Sequence, residues 1–340
     1  REVLDHRIAL VRLDADGNLD SSFGDDGVVL TSTPDTDSEA ATAVAILSDG
    51  DILVGGGGKF TIETSDSSSR KKKGGTRRVS ASGAILVRYD ASAGYALDTN
   101  FGGGDGIAVD TQFVLGDGYI LGTRVFDMGV QEDSGRIVTL TSGLHEMIRG
   151  YDLTNGALDA GSSGFGPDGS GWYEAGDFDG YSALAIASDE SILVCGELRD
   201  VANTQGGDGV VTRFRADGTA ILGMATVDGF ASGATYLDAI LVDGESVVVG
   251  GTVTVPGQTP QDPPTRAAFA AWFSAPVGSG VPADVNFVSA TESAVEAPVW
   301  VRGLALSGAD VVLSGDLPDT STGTSTSGRP VWFLAKFLGD

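Results

Sequence analysis

The residues whose types and spacing could do chemistry are mainly carboxylates, and the first group lies near the amino end. Oxygen-bearing side chains alternate there with other residues: Asp14, Asp16, Asn18 and Asp20. Calcium takes about six to eight oxygen ligands, so this segment is a candidate calcium site. However, Gly17 stands earlier than the glycine of helix-loop-helix calcium loops, and Asp and Gly are also the usual residues of turns. The favoured interpretation is a plain turn with no cofactor.

The best candidate for ligand binding is the segment GWYEAGDFDGY, which combines aromatic rings with acids. Rings of this kind stack on sugars, and carboxylates accept hydrogen bonds from sugar hydroxyls. The alternative is that the rings pack between sheets and the acids form a turn. The candidate residues are Trp172, Tyr173, Glu174, Asp177 and Asp179.

A cationic cluster stands out because the chain has only 21 Lys and Arg residues against 47 Asp and Glu. It lies in the segment SDSSSRKKKGGTRR, within an insertion over residues 59–83. On an acidic body, such a cluster could dock on an anionic partner or on a second copy. A flexible, solvated loop is the favoured alternative. The cluster consists of Arg70, Lys71, Lys72, Lys73, Arg77 and Arg78.

Motifs for catalysis are weak. His145 is adjacent to Glu146, but successive residues of a strand point to opposite faces, so they are not expected to pair. The single cysteine, Cys195, has a buried-strand context and cannot form an internal disulfide. No nucleophile elbow or zinc-protease motif occurs. We therefore expect a protein that is not an enzyme. The sequence leaves one alternative, a catalytic pair of carboxylates at the channel of a propeller.

The charge and composition exclude several classes of protein. The formal net charge of −26 disfavours binding to nucleic acids and to anionic membranes. No apolar run is long enough to cross a membrane, so we expect a soluble chain without membrane insertion. The 51 glycines and the low aromatic content of 7% indicate many turns and small core residues.

The elements that must position these residues form a repeat. A hairpin of two apolar strands joined by a short polar turn occurs five times, at intervals of roughly 55 to 64 residues apart from the longer first interval. The copies are AVAILSDGDILVGG, GRIVTLTSG, ALAIASDESILVCG, AILVDGESVVVGG and GLALSGADVVLSG.

A second type of strand, which ends in a ring or Leu, occurs six times between the hairpins. In three copies a Leu-Asp and then a Phe-Gly element follow the strand, as in Leu19-Asp20 and Phe23-Gly24. The six strands begin at Ile8, Ala84, Met147, Gly209, Ala267 and Val331.

These patterns predict an all-β fold. Consecutive apolar residues in the strands indicate sheets covered on both faces, and a period near 60 fits four strands per unit. We expect one β-propeller over residues 1–340, with four-stranded antiparallel blades; five blades are favoured and six are the alternative. The predicted repeat units are 7–58, 84–143, 144–198, 209–253 and 266–317, with a closing strand at 331–337.

The segment IALVRLDADGNLDSSFGDDGVVL with AVAILSDGDILVGGGG resembles the bacterial delta-60 repeat, and the resemblance weakens after Gly166. It implies a propeller-like protein, often secreted or on the cell surface, and brings no catalytic residues.

The two ends are expected to close the ring by sharing a blade. Because Ile8 to Asp14 and Val331 to Phe337 have equivalent positions in the repeat, one strand is surplus and could pair with another molecule. The expected function is a non-enzymatic extracellular structural or protein-interaction module, as part of a larger assembly. The alternatives are a carbohydrate-binding propeller and, less favoured, a calcium-dependent propeller hydrolase.

Overall fold

The structure is a computed structural model of the chain. It describes residues 7–65, 76–110, 114–116, 119–121, 123–142, 146–174, 180–198, 207–227, 234–244, 246–255, 265–273, 300–307, 310–317 and 331–337.

The described residues form strands and turns, without a helix, which confirms the all-β prediction. In the amino-terminal half the strands are β1 (Ile8–Val11), β2 (Val28–Thr31), β3 (Thr36–Ile46), β4 (Ile52–Ser65), β5 (Thr76–Asp90), β6 (Ala96–Leu97), β7 (Ile107–Asp110), β8 (Val114–Gly116), β9 (Tyr119–Leu121), β10 (Arg124–Gln131), β11 (Arg136–Ser142), β12 (Met147–Asp152) and β13 (Trp172–Glu174).

In the carboxyl-terminal half the strands are β14 (Tyr181–Ile186), β15 (Ile192–Leu198), β16 (Asp208–Phe214), β17 (Ile221–Val227), β18 (Thr235–Asp243), β19 (Ser246–Val255), β20 (Thr265–Phe273), β21 (Trp300–Ser307), β22 (Asp310–Leu317) and β23 (Val331–Phe337).

The strands pair in antiparallel sheets, several of them four-stranded. The sheets have the orders β1-β2, β3-β4-β5-β6 with β7 also on β5, β8-β9, β10-β11-β12-β13, β14-β15-β16-β17, β18-β19-β20 and β21-β22-β23. Five sheets therefore begin with a hairpin and continue with the second type of strand, here called the third strand. Each of these sheets combines the hairpin of one predicted repeat unit with the third strand of the next.

These five sheets share one register. The first apolar residue of the second strand always faces the aromatic residue near the end of the third strand. The pairs are Ile52 with Tyr89, Ile137 with Tyr151, Ile192 with Phe214, Val247 with Phe273 and Val311 with Phe337. This agreement between distant parts of the chain supports an origin in tandem copies.

A β-bulge also recurs at one position of the hairpin. The strand register skips one residue of the first strand, four or five pairs from the turn. The skipped residue is Thr42, Phe126, Ser182, Asp238 or Arg302 in the successive sheets. Such bulges increase the local twist of the hairpin.

The bulge explains the apolar-Gly ending of the repeat. Gly56, Gly196 and Gly251 lie opposite the bulges of their hairpins. A Cβ on them would approach the backbone carbonyl oxygens of Ala40, Gly180 and Tyr236 to 2.2, 2.1 and 2.0 Å, respectively. Glycine at these three positions lets the two backbones come this close.

The chain divides into two compact units, which are described separately. In the unit Arg1–Phe165 with Gly169–Glu174, one cluster of buried side chains joins the β1-β2 sheet to the β3–β7 sheet, and a second joins that sheet to β10–β13. In the other unit, β14–β17 packs on β18–β20, which packs on β21–β23. Neighbouring sheets in each unit therefore stack face to face.

The predicted insertion over 59–83 is partly a strand extension. β4 and β5 continue their pairing from Lys59 with Ser82 to Ser65 with Thr76. Arg77 and Arg78, which the sequence placed in a loop, are therefore part of this extended hairpin. Among the described residues, no helix is long and apolar enough to cross a membrane.

Candidate functional site

The Leu-Asp and Phe-Gly elements form the same loop three times. After β1, the Asp20 amide donates to the Arg12 carbonyl, and the Phe23 amide donates to the Asp20 carbonyl, both at 2.9 Å. Asp98 and Phe101 repeat these bonds after β5, and Asp159 and Phe165 repeat them after β12. All three Phe side chains are fully buried. The most recognisable motif of the sequence is therefore a structural loop.

An arginine closes each of these loops. Arg12 pairs with Asp20 at 2.9 Å, and its guanidinium lies 4.9 Å from the Phe23 ring centroid. The Ser22 hydroxyl and amide, together with Arg12, hold the pKa of the Asp20 carboxyl below its usual value. This carboxylate is consequently already used as a hydrogen-bond acceptor within the loop.

The corresponding arginine of the next sheet holds more groups together. Arg88 contacts Asp51 at 2.8 Å, Asp98 at 3.3 Å and the Leu153 carbonyl at 2.9 Å. In the third loop Gly150 takes the arginine's position, and Arg136 from the neighbouring strand pairs with Asp159 at 2.7 Å. A Cβ on Gly150 would approach the Phe165 ring to 2.6 Å, which explains the exchange.

The candidate calcium ligands form a turn in the structure. The Asp14 side chain accepts hydrogen bonds from the amides of Asp16 and Asn18, at 3.0 and 2.9 Å. Asp20 is held by Arg12 and Ser22, as described above. The described residues include no group of three or more His, Cys, Asp or Glu side chains suited to a metal ion.

Sequence reasoning missed a buried charged cluster of Asp110, Arg149 and Tyr151. Arg149 is only 2% exposed, and its Nη1 donates to Asp110 Oδ2 at 2.5 Å. The Tyr151 hydroxyl donates to the same oxygen at 2.9 Å. Burial, reinforced by the charge of Asp110, raises the pKa of Tyr151 well above its usual value, so this hydroxyl stays protonated.

The signal for this cluster was an arginine that interrupts an apolar strand, in MIRGYD. The cluster links β7 to β12 and so ties two sheets of one unit together. A carboxylate held by a guanidinium and a phenol is a stable, low-energy acceptor, which suits a structural role.

The aromatic candidate Trp172 packs on this cluster. It pairs with Arg149 across the strands, and the guanidinium carbon lies 5.6 Å from the ring centroid. Trp172 and Tyr173 are half-buried, and Glu174 is exposed. The packing expected as the alternative therefore accounts for Trp172. Asp177 and Asp179 lie outside the described residues.

The other predicted residues are placed as follows. Arg77 and Arg78 face Thr64 and Glu63 in the strand register. The remaining cationic residues, Arg70, Lys71, Lys72 and Lys73, lie outside the described part of the chain, as does His145. Cys195 is fully buried in β15.

One cavity, of about 280 Å³, opens beside the glycines of β4. Lys59 and Arg124 line it together with Glu39, a carboxylate that is only 6% exposed. Glu39 Oε2 accepts the Thr33 amide at 2.8 Å, whereas its Oε1 has no hydrogen-bond partner in the described part of the chain. The mixed charges of the lining suit a small polar molecule with both donor and acceptor groups.

Comparisons with known proteins give no identification. No family model matches the sequence, and no curated protein matches it. The function must therefore be argued from the geometry of the chain.

Proposed function

We propose that the chain is a non-enzymatic structural or protein-interaction module of the bacterial cell surface or exterior, built on delta-60-like repeats. The observation that carries this proposal is the use of the repeated charged residues. The backbone carbonyls of Asp20, Asp98 and Asp159 each accept the Phe amide of their own loop, and their carboxylates each pair with an arginine. The recurring carboxylates of the repeat thus stabilise its loops and contribute to a rigid framework.

In this proposal the stacked sheets are blades of a β-propeller. The five hairpin-led sheets correspond to the five favoured blades, and in the six-bladed alternative β1-β2 supplies half of the sixth blade. The face-to-face packing within each unit supports this arrangement, because blades must bury both faces. Closure by strands from both ends of the chain belongs to the same proposal.

The extended β4-β5 hairpin is the feature that we propose to contact a protein partner. In the sequence, the segment that joins these two strands and the start of β5 carry the cationic cluster, on a chain with a net charge of −26. An acidic partner would be attracted to such a segment by complementary charge. No cofactor, nucleic acid or membrane insertion is part of the proposal.

A hairpin-shortening variant tests this role. Replacing residues 66–75 with Asn-Gly keeps the register up to Ser65 and Thr76. Lysine-reactive crosslinking on intact cells should join the wild-type chain to an acidic protein, and the variant should lose that product. Equal crosslinking of both chains would remove the hairpin from the proposal.

Location and catalysis are tested separately. Brief protease treatment of intact cells should remove the protein if it lies outside, and full protection would contradict the location. Chromogenic ester, phosphate and glycoside substrates should show no turnover above background. Turnover that disappears in Asp110→Asn would instead reveal an active site at the buried cluster.

A further inference from the structure

The cavity beside β4 lies on one face of the sheet that β3, β4 and β5 form. Ser38, Lys59 and Ser82 make one row across these strands, because Lys59 pairs with Ser38 in β3 and with Ser82 in β5. Residues directly opposite each other in an antiparallel sheet share a face. The three polar side chains therefore line the cavity side by side.

The next row on this face consists of small residues. Gly57 pairs with Ala40 in β3 and with Ala84 in β5. Alternate residues of a strand share a face and lie about 7 Å apart, so this row runs beside the polar one. A Cβ on Gly57 would approach Arg124 Cγ to 2.8 Å, so the Arg124 side chain of β10 lies over this row. Lys59 and Arg124 thus line one cavity from two neighbouring sheets.

The Glu39 carboxylate is turned away from this space. Glu39 pairs with Gly58, where an added Cβ would meet Ile85 and Thr36 on the opposite face of the sheet. Its Oε2 accepts the Thr33 amide at 2.8 Å, and its Oε1 is not accessible to solvent. Of the ionised side chains that line the cavity, a ligand can therefore reach the two cations.

These two cations have no carboxylate partner in the described part of the chain. Other described arginines do pair with aspartates, namely Arg12, Arg88, Arg136, Arg149, Arg213 and Arg215. Lys59 and Arg124 stand out on a chain with 47 acidic and 21 basic residues, where carboxylates are abundant. An anion from solution would satisfy both cations at once.

We propose that this cavity binds a small organic anion, a carboxylate or phosphate that also carries hydroxyl groups. Lys59 and Arg124 form charge-assisted hydrogen bonds with the anionic group. The hydroxyls of Ser38 and Ser82, which can both donate and accept, bind the hydroxyl groups of the ligand. The cavity of about 280 Å³ is slightly smaller than the sites of drug-sized ligands, so its ligand has about the size of a monosaccharide.

This site goes beyond the proposed structural role and is separate from the proposed partner contact. The variant that replaces residues 66–75 with Asn-Gly keeps every residue that lines the cavity. It should therefore bind the anion as the wild type does, even though it is expected to lose its crosslinked partner. Failure of the crosslinking experiment and failure of anion binding are independent results.

Titration calorimetry at low salt tests the proposal with four probes: glucuronate, glucose 6-phosphate, glucose and inorganic phosphate. At least one of the two organic anions should bind with a Kd of about 1 mM or lower, and the tighter one identifies the anionic group. Glucose, which lacks the charge, should not bind. Inorganic phosphate, which lacks the hydroxylated carbons, should bind at least about tenfold more weakly. No binding of either organic anion, or equal binding of glucose or inorganic phosphate, would overturn the proposal.

Neutral variants of the two cations test the assignment of the site. Both side chains are exposed, so Lys59→Gln/Arg124→Gln should fold, and it should weaken binding of the tighter anion at least about tenfold. Arg215→Gln is the matched control for Arg124→Gln, because it removes the same charge from an exposed arginine of the other compact unit. It should leave the Kd unchanged. Unchanged binding in the double variant, or equal losses in the two single variants, would contradict the site.

A measurement on the wild-type chain does not depend on the folding of any variant. Saturation with the tighter anion should slow the acetylation of Lys59 by acetic anhydride several-fold, because the ammonium group is then covered. Mass spectrometry of the peptide that contains Lys59 measures this rate, and glucose at the same concentration is the control. Equal rates with the anion and with glucose would overturn the proposal.

Discussion

The β1-β2 sheet and the β5-β7 half of the next sheet are the same structure in two environments. Their registers agree residue by residue: the pair of Ile8 with Thr31 corresponds to the pair of Ala84 with Asp110. Their loops share four backbone hydrogen bonds. Yet Val87 is fully buried and Val11 is 50% exposed.

The difference shows which features of the repeat depend on local interactions and which depend on tertiary packing. The strand pair and its loop form from nearby residues, since they are complete in β1-β2, where no described hairpin pairs with them. Burial of the apolar face instead requires a preceding sheet and a hairpin on the other edge. The repeat therefore has a self-sufficient outer half and depends on its neighbours for its core.

The largest effect should come from the aromatic position of the third strand. Tyr89 is fully buried and its hydroxyl bonds to Thr31 at 2.7 Å, so Tyr89→Ala should cost about 4 kcal/mol of unfolding free energy. The equivalent exposed change, Leu13→Ala, should cost less than about 0.5 kcal/mol. Urea unfolding of dilute protein measures both, and equal losses would refute the comparison.

The next effect concerns the hairpin that β5 has and β1 lacks. In Gly56→Ala the new Cβ would meet the Ala40 carbonyl oxygen at 2.2 Å, so the bulge must shift at a cost of about 3 kcal/mol. Gly17→Ala is the control, because a Cβ there meets nothing and only the positive φ costs about 1 kcal/mol. Thermal unfolding of both variants tests this, and a harmless Gly56→Ala would show that the close approach of β3 and β4 at this bulge does not require glycine.

Removing the loop carboxylate should lower the stability more in the loop after β5 than in the loop after β1. Asp98 is 8% exposed and shares Arg88 with Asp51, so Asp98→Asn should cost about 2 kcal/mol. Asp20→Asn should cost less, because its ion pair with Arg12 is partly exposed. If chemical denaturation gave the opposite order, burial would not be the factor that separates the two loops.

High pH should destabilise the sheets that contain Tyr89 and Tyr151. Burial raises the pKa of Tyr89 and Tyr151 above the ordinary value near 10. Because the unfolded chain then loses these protons first, stability should be complete below about pH 10 and fall as the pH rises further. Melting curves between about pH 8 and 11 should show this fall, and Tyr151→Phe should reduce it.

Most of the repeat could be predicted from the sequence because its strands and turns depend on local patterns. The first hairpin turn, which contains Asp49 and Gly50, forms by short-range hydrogen bonds. Here the Asp51 amide donates to the Asp49 side chain at 2.9 Å. The sheet boundaries were harder to predict, because the sequence of a strand does not show which neighbouring strand it pairs with. The predicted units therefore begin at a third strand, whereas the five hairpin-led sheets begin at a hairpin.

The candidate sites stay predictions, because spacing alone does not fix which groups a side chain contacts. The spacing of Asp14, Asp16 and Asn18 suggested ligands, but one carboxylate accepts the amides of the other two residues, which is a common local competitor of metal binding. The cluster of Asp110 and Arg149 joins residues far apart in the sequence, so spacing could not reveal it. Blade number and ring closure stay predictions.

Amide hydrogen exchange resolved by residue tests the central claim, that β1-β2 is the outer half of a repeat sheet with one edge that no described strand covers. In dilute protein, Leu10 and Arg12 should exchange slowly and Ala9 and Val11 rapidly, whereas Ile85, Leu86, Val87 and Arg88 should all exchange slowly. Slow exchange of Ala9 and Val11, at the rates of Ile85 and Val87, would contradict the claim.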